Sequence, residues 1–211
     1  MSAIKLCVVF FATGVIWFSY TPLAVAGVPL QKNPYPDKGS RIEFSTHTVF
    51  LSPKMHEAVH TYSENFELRP VSCYPEEIRR YYPYTTYQSP SAVFGDFNGD
   101  RMSDSVLIGD DGDFSMTLML LSSYDPKNSG LSYTVRVFSK MPLSEAESKR
   151  IGTWSYLQLR KKGRFQVPNE ESQLEEVELK NDGFEVVIWE KAAVVYYLDE
   201  NGDLKKIVSA D

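Results

Sequence analysis

The chain has 211 residues, a formal charge of −6 at pH 7, 43 % hydrophobic residues and two cysteines. An acidic balance without a basic stripe excludes nucleic acid and anionic membrane surfaces as natural partners, because both recruit proteins through clustered Lys and Arg. Cys7 and Cys73 are too few for a disulfide scaffold, so stability must come from a core or from a bound ion.

In chain order, residues 1–26 read as a signal peptide. Lys5 supplies a positive start, Leu6 to Tyr20 form an apolar run, and Ala24-Val25-Ala26 matches the small-x-small pattern cut by signal peptidase. The run is short for a bilayer crossing. Cleavage before Gly27 implies a periplasmic or secreted protein with no stable membrane insertion afterwards. It removes Lys5 and no acidic residue, which moves the formal charge from −6 to −7. Cys7 lies too early to be a lipoprotein cysteine, and Cys73, the one left, reads as a small buried apolar residue.

Residues 27–50 form an extended N-terminal segment rich in Pro, Lys and Ser, and residues 51–211 form a single domain. Ser52-Pro53 is a helix start, with Ser at the N-cap and Pro at the first helical position. Met55, Val59, Tyr62 and Phe66 follow at helical spacing and predict one apolar stripe. A second short helix is expected over 75–82, after which Tyr81, Tyr82, Tyr84 and Tyr87 cluster.

From about residue 91 the period becomes alternating. Phe114, Met116, Leu118 and Leu120 share one face of a strand, and Leu131, Tyr133, Val135 and Val137 share one face of the next. Residues 125–130 are the turn between them, and Asp110, Asp111 and Asp113 an earlier turn. Glu145–Lys149 suits one helical turn. Further strands are expected over 153–160, 184–190, 193–198 and 204–208, with residues 199–203 at the tip of the last hairpin. The expected class is α+β: two N-terminal helices packed on a mainly antiparallel sheet built of hairpins, with a blade-like arrangement as a variant.

The stretch FGDFNGDRMSD, Phe94 to Asp104, carries the clearest chemistry. Calcium takes six to eight oxygen ligands, and short acidic loops supply them from alternate residues. Asp96, Asn98 and Asp100 stand at relative positions 1, 3 and 5, and Asp104 at 9. The Met102 carbonyl at position 7 completes the near side. Gly99 lets the chain turn with positive φ. Three carboxylates and one amide in nine residues repel one another without a cation, which argues for one. Leu107 at position 12, instead of a bidentate Glu, excludes an EF-hand. The alternative is an Asx-rich turn that caps its own backbone.

This stretch resembles the FG-GAP repeat, the calcium-binding unit of integrin-type propellers, whose core reads F-G-D-x-N-G-D-G-x-x-D. Phe94, Gly95, Asp96, Asn98, Gly99, Asp100 and Asp104 match, and Arg101 replaces the glycine at position 6. The resemblance implies a structural calcium site at Asp96, Asn98, Asp100, Met102 and Asp104. The wider chain resembles uncharacterised exported bacterial proteins that carry one such motif. In these a YPY segment precedes the loop and the chain closes on an EKAAVxYY hairpin, as at Tyr82-Pro83-Tyr84 and Glu190 to Tyr197 here. No known activity comes with that likeness. A second DxNGD, Asp199 to Asp203, has Ile207 where the fourth carboxylate would stand and reads as a turn.

His56-Glu57-Ala58-Val59-His60 is an HExxH pattern, in which two imidazoles one helical turn apart bind zinc and the glutamate acts as general base. Glu76 or Glu77 is the candidate third ligand. Against this, His56 lies in the first turn, both histidines fall on the polar flank of the stripe, and Ser63 and Phe66 occupy the metzincin glycine and third-histidine positions. No P-loop, Rossmann fingerprint or G-x-S-x-G occurs. The sequence therefore predicts an exported calcium-binding protein of unknown activity, a non-catalytic binding or interaction module with a protein or glycan partner. A zinc-dependent hydrolase using His56, His60 and Glu57 is the alternative. A carbohydrate-binding module built on the tyrosines of 81–87 is the third reading.

Overall fold

The structure, a computed structural model, describes residues 28–29, 31–32, 39–43, 47–125, 130–148, 154–168 and 173–210. The expected signal peptide and the turn tip at 126–129 lie outside the described residues. Strands β1 (Val28–Pro29), β2 (Gln31–Lys32), β3 (Arg41–Glu43) and β4 (Thr48–Leu51) precede helix α1 (Pro53–Tyr62). Strand β5 (Glu67–Leu68), a 3-10 turn at Val71–Cys73 and helix α2 (Glu76–Tyr81) follow. Next come β6 (Gln88–Ser89), β7 (Ala92–Gly95), β8 (Asp104–Asp110), β9 (Phe114–Asp125), β10 (Gly130–Pro142) and helix α3 (Leu143–Ser148). The remainder is strand: β11 (Ser155–Arg160), β12 (Gly163–Pro168), β13 (Leu174–Leu179), β14 (Gly183–Ile188), β15 (Ala192–Leu198) and β16 (Leu204–Ala210).

The α+β expectation is overturned. The chain is mostly β, with 56 % strand and 15 % helix among the described residues, and its three helices are short. The helical signals at 53 and 75 are real, but they produce helices of ten and six residues. These do not pack together on one sheet; they join different side-chain clusters. Nor is there a sequential blade, because the second sheet runs β11-β14-β15-β16 while β12 and β13 pair separately as a hairpin. Among the described residues, sheet pairing is antiparallel except for a two-residue parallel contact between β2 and β4.

Strand β8 is the centre. Along one edge it pairs with β9, which pairs in turn with β10; its other edge takes β7 and then β5. At the β5 crossing only glycine fits, since a Cβ on Gly109 would lie 2.2 Å from the Glu67 carbonyl oxygen. Both faces of this sheet are covered, so its strands read as near-continuous apolar runs instead of alternating ones. Leu107, Met116, Leu118 and Leu120 meet Met55 and Val59 of α1 and Leu51 of β4 on one face. Val106, Ile108, Met119 and Leu121 meet Leu157, Phe184 and Leu198 of the second sheet on the other. Each such aliphatic chain contributes about 1.5–3 kcal/mol by leaving water. Ile78 of α2 and Tyr82 just after it pack with Tyr74 and with Tyr156 of β11, at the edge of the second sheet.

Helix α1 forms as its sequence dictates. The Ser52 hydroxyl accepts from the Met55 N–H at 3.3 Å, and Pro53 opens the first turn. It stops at Ser63, which is extended at φ −148° and donates its N–H to the Val59 carbonyl. Tyr62, predicted to lie on the apolar stripe, is 41 % exposed, because the chain leaves the helix there. In β10 the register shifts between Val137 and Ser139. The bulge reassigns faces: Val137 becomes exposed and Phe138 packs against Phe184 and Tyr196.

Candidate calcium loop and histidine cleft

The loop between β7 and β8 lies where the two sheets meet. Its backbone is pinned to the turn before β14: the Asp182 N–H donates to the Asp96 carbonyl at 3.0 Å, and the Asp96 N–H donates to Asp182 Oδ2 at 3.2 Å. Lys161 Nζ pairs with the same Oδ2 at 2.9 Å. Burial alone would raise the Asp182 pKa, but the Lys161 hydrogen bond, the N–H groups of Lys162 and Asp96 and the Lys161 charge together hold it below the usual carboxylate range.

Within the loop the alternate side chains cap the turn. Asp96 Oδ1 accepts from the Gly99 N–H at 2.7 Å and its Oδ2 from the Arg101 N–H at 3.1 Å. Asn98 Oδ1 accepts from the Asp100 N–H, and Asp100 Oδ1 from the Met102 N–H. Gly99 and Arg101 both take left-handed backbone, φ +83° and +67°. Arg101, the sixth residue of the loop counted from Asp96, therefore holds the conformation that favours glycine. The side chain of Asn181 covers Gly99, where an added Cβ would approach Asn181 Oδ1 to 2.7 Å.

Asp104 differs from its loop mates. It is fully buried, and its Oδ2 accepts from the N–H groups of Phe97 (2.7 Å) and Asn98 (3.1 Å). Its Oδ1 accepts the Ser122 N–H at 2.7 Å and faces the Ser122 hydroxyl at 2.5 Å. Burial pushes its pKa up against the opposing pull of these hydrogen bonds. All four acceptor directions of this carboxylate are thus committed to the protein. The Ser122 Oγ also lies 2.9 and 3.0 Å from the two Asp100 oxygens. A hydroxyl has one proton, so serving Asp104 leaves the Ser122 oxygen lone pair against Asp100, whose own donors are the Met102 N–H at Oδ1 and the Asn98 amide at Oδ2, 3.2 Å away.

The donor chemistry fits a hard cation: carboxylates of Asp96 and Asp100, the amide of Asn98 and the Met102 carbonyl are all oxygen ligands. Asp96 and Asn98 are half-buried and Asp100 is exposed. Of the sequence-predicted set, Asp104 is the one placed behind the loop. Among the described residues, no three His, Cys, Asp or Glu side chains already stand together as a metal cage. Asp182, Asn181 and Ser122 belong to this site and were not foreseen. Their only sequence signal was Asn181-Asp182-Gly183, which reads simply as a turn.

His56 and His60 come together, with ring centres 5.4 Å apart, and line a cleft of about 290 Å³ with Glu64 and Glu67. Glu57 is on a different side of α1. It pairs with Lys54 at 3.1 Å and lines the groove toward β10. Glu76 and Glu77, the foreseen third ligands, sit on α2 and do not line the histidine cleft. The second DxNGD closes the β15–β16 hairpin: Asp199 Oδ1 accepts from the N–H groups of Asn201 and Asp203. Asp111 Oδ1 likewise caps the β8–β9 turn at Asp113 and Phe114.

The tyrosines of 81–87 divide. Tyr82 is buried and donates to the Leu157 carbonyl at 2.6 Å, whereas Tyr81 and Tyr87 are exposed. Burial raises the Cys73 pKa, which opposes a thiolate role. No helix among the described residues is long and apolar enough to cross a membrane. No family model matches the chain, and neither a curated protein nor a solved structure matches it.

Proposed function

We propose that the protein is an exported calcium-binding module without catalytic machinery, and that its ion braces the joint between the two sheets. The observation that carries this is the proton shortage at Ser122. Asp100 and Asp104 both approach one hydroxyl, and a cation at Asp100 relieves the repulsion left over. In this reading Asp96, Asn98, Asp100 and the Met102 carbonyl hold the ion, and Asp104 holds the loop in shape from behind. The ion supplies charge neutralisation and a link between loop segments, not reactivity.

Periplasmic and extracellular fluids carry enough calcium for a site of modest affinity, which agrees with the signal-peptide reading of residues 1–26. Binding to the folded state alone raises stability by mass action. Thermal melting in millimolar calcium and in EGTA tests the reading directly. The midpoint is expected to rise with calcium, and an Asp96→Ala/Asp100→Ala variant is expected to show no rise. An unchanged midpoint in the unmodified protein at millimolar calcium sinks the proposal.

A further inference from the structure

We propose that the His56–His60 cleft is a second, independent metal site, a chelate for a divalent transition ion that favours imidazole, such as Zn²⁺. One turn of regular helix sets the two imidazoles. The His56 N–H donates to the Ser52 carbonyl at 2.9 Å and the Ser63 N–H to the Val59 carbonyl at 2.8 Å, so both Cα positions are fixed within α1. The rings stand edge-on at 71° with centres 5.4 Å apart, close enough for one ion to bridge a nitrogen of each.

The end of the helix supplies the rest. Ser63 leaves α1 in an extended conformation, and the Phe66 N–H returns to the Ser63 carbonyl, folding the chain back. Buried Phe66 anchors that return, and Glu64 and Glu67 come to line the same cleft as the histidines. Among the described residues no Lys or Arg lines it. Lys54, the near cation of α1, is held by Glu57 on another side. Two imidazoles with an adjacent carboxylate form a mixed nitrogen–oxygen set, which selects Zn²⁺, Cu²⁺ or Ni²⁺ over Ca²⁺ and Mg²⁺. The two histidines provide the first two bonds, and exposed Glu64 turns in to add the third. With Glu57 directed away, the site is a binding or structural one and does not carry the general base of an HExxH hydrolase.

Calorimetric titration of the full mature chain with Zn²⁺, in the presence of saturating Ca²⁺, tests this. One Zn²⁺ per chain is expected, undiminished by calcium and unchanged in the Asp96→Ala/Asp100→Ala variant. His60→Ala is expected to weaken binding at least about tenfold, and Glu64→Gln by less. His60 and Glu64 are exposed, so neither change should unfold the chain, which far-UV circular dichroism checks. Absence of saturable Zn²⁺ binding, or a folded His56→Ala/His60→Ala variant that still takes one ion with the original affinity, overturns the site. Either result leaves the calcium reading untouched, because that rests on melting with calcium alone.

Discussion

Arg101 bears a backbone conformation made for another residue. At φ +67° an L side chain crowds the following carbonyl, at a cost of about 1–2 kcal/mol that glycine escapes. Glycine gives part of this back through the unfolded chain, so Arg101→Gly is expected to stabilise the protein by about 0.5–1 kcal/mol. Urea denaturation reads this as a higher midpoint with an unchanged slope. Gly99→Ala should do the reverse by about 1–2 kcal/mol, because it adds the same strain at φ +83° and drives a methyl into the Asn181 amide. If the two substitutions shift stability in the same direction, backbone strain is not what governs this loop. The Arg101 mismatch was legible in the sequence because spacing alone locates position 6. The role of Asp104 was not. Its spacing matches a ligand, but it is also the first residue of β8, and a strand buried on both faces draws it into the core, where N–H donors claim it.

At the scale of elements, local chemistry predicted helix starts well and sheet content poorly. The cap at Ser52 and the proline at 53 act within four residues, so α1 could be read from its own sequence. Ser52→Ala is expected to cost about 1 kcal/mol, measured by urea denaturation, since one first-turn N–H loses its acceptor. Strands β8 and β9 hid half their contacts. The alternation of Met116, Leu118 and Leu120 was visible, whereas Met119 and Leu121 became core only because a second sheet covers the opposite face. Helix α2 brings a titration with it. Burial, chiefly, lifts the Tyr82 phenol far above its ordinary value, and Tyr74 and Tyr156 beside it are also raised. The folded state then keeps protons that the unfolded chain releases above about pH 10. The contribution of these tyrosines is therefore fully present below pH 10 and is lost as pH rises beyond it. Urea midpoints measured between about pH 8 and 11.5 should fall above pH 10, and fall less steeply in Tyr82→Phe. A flat profile would show that these phenols ionise without unfolding the cluster.

In the whole molecule α1 covers one face of the central sheet and the second sheet covers the other. The two sheets are also joined by polar contacts: Leu159 N–H to Gln88 Oε1 at 2.8 Å, Arg136 to the Gly202 carbonyl at 3.3 Å, and the acidic joint at Asp182. Apolar contact between them comes from Val106, Ile108 and Met119 against Leu157, Phe184 and Leu198. That surface excludes water but has little direction. At the acidic joint registration comes from Asp182, which lies in the turn before β14 yet accepts the Asp96 N–H from the loop of the other sheet and the Lys162 N–H from its own side. It is 7 % exposed, so removing its carboxylate takes the acceptor from the Asp96 and Lys162 N–H groups, while the exposed Lys161 ammonium turns to water. Asp182→Ala is expected to cost about 1–3 kcal/mol. Hydrogen exchange should locate that loss. Amides of β14, β15 and β16 are expected to lose protection more than those of β8 and β9, because the central sheet keeps its α1 face intact while the second sheet loses the polar tether nearest the start of β14. Equal loss in both sheets would mean that the molecule opens as one unit and that the acidic joint does not register one sheet on the other. The same experiment in calcium extends the argument to the ion. If calcium bound at Asp96 and Asp100 braces the joint, it should slow exchange in the Asp182→Ala variant chiefly in residues 94–104 and the start of β14, and leave α1 unchanged.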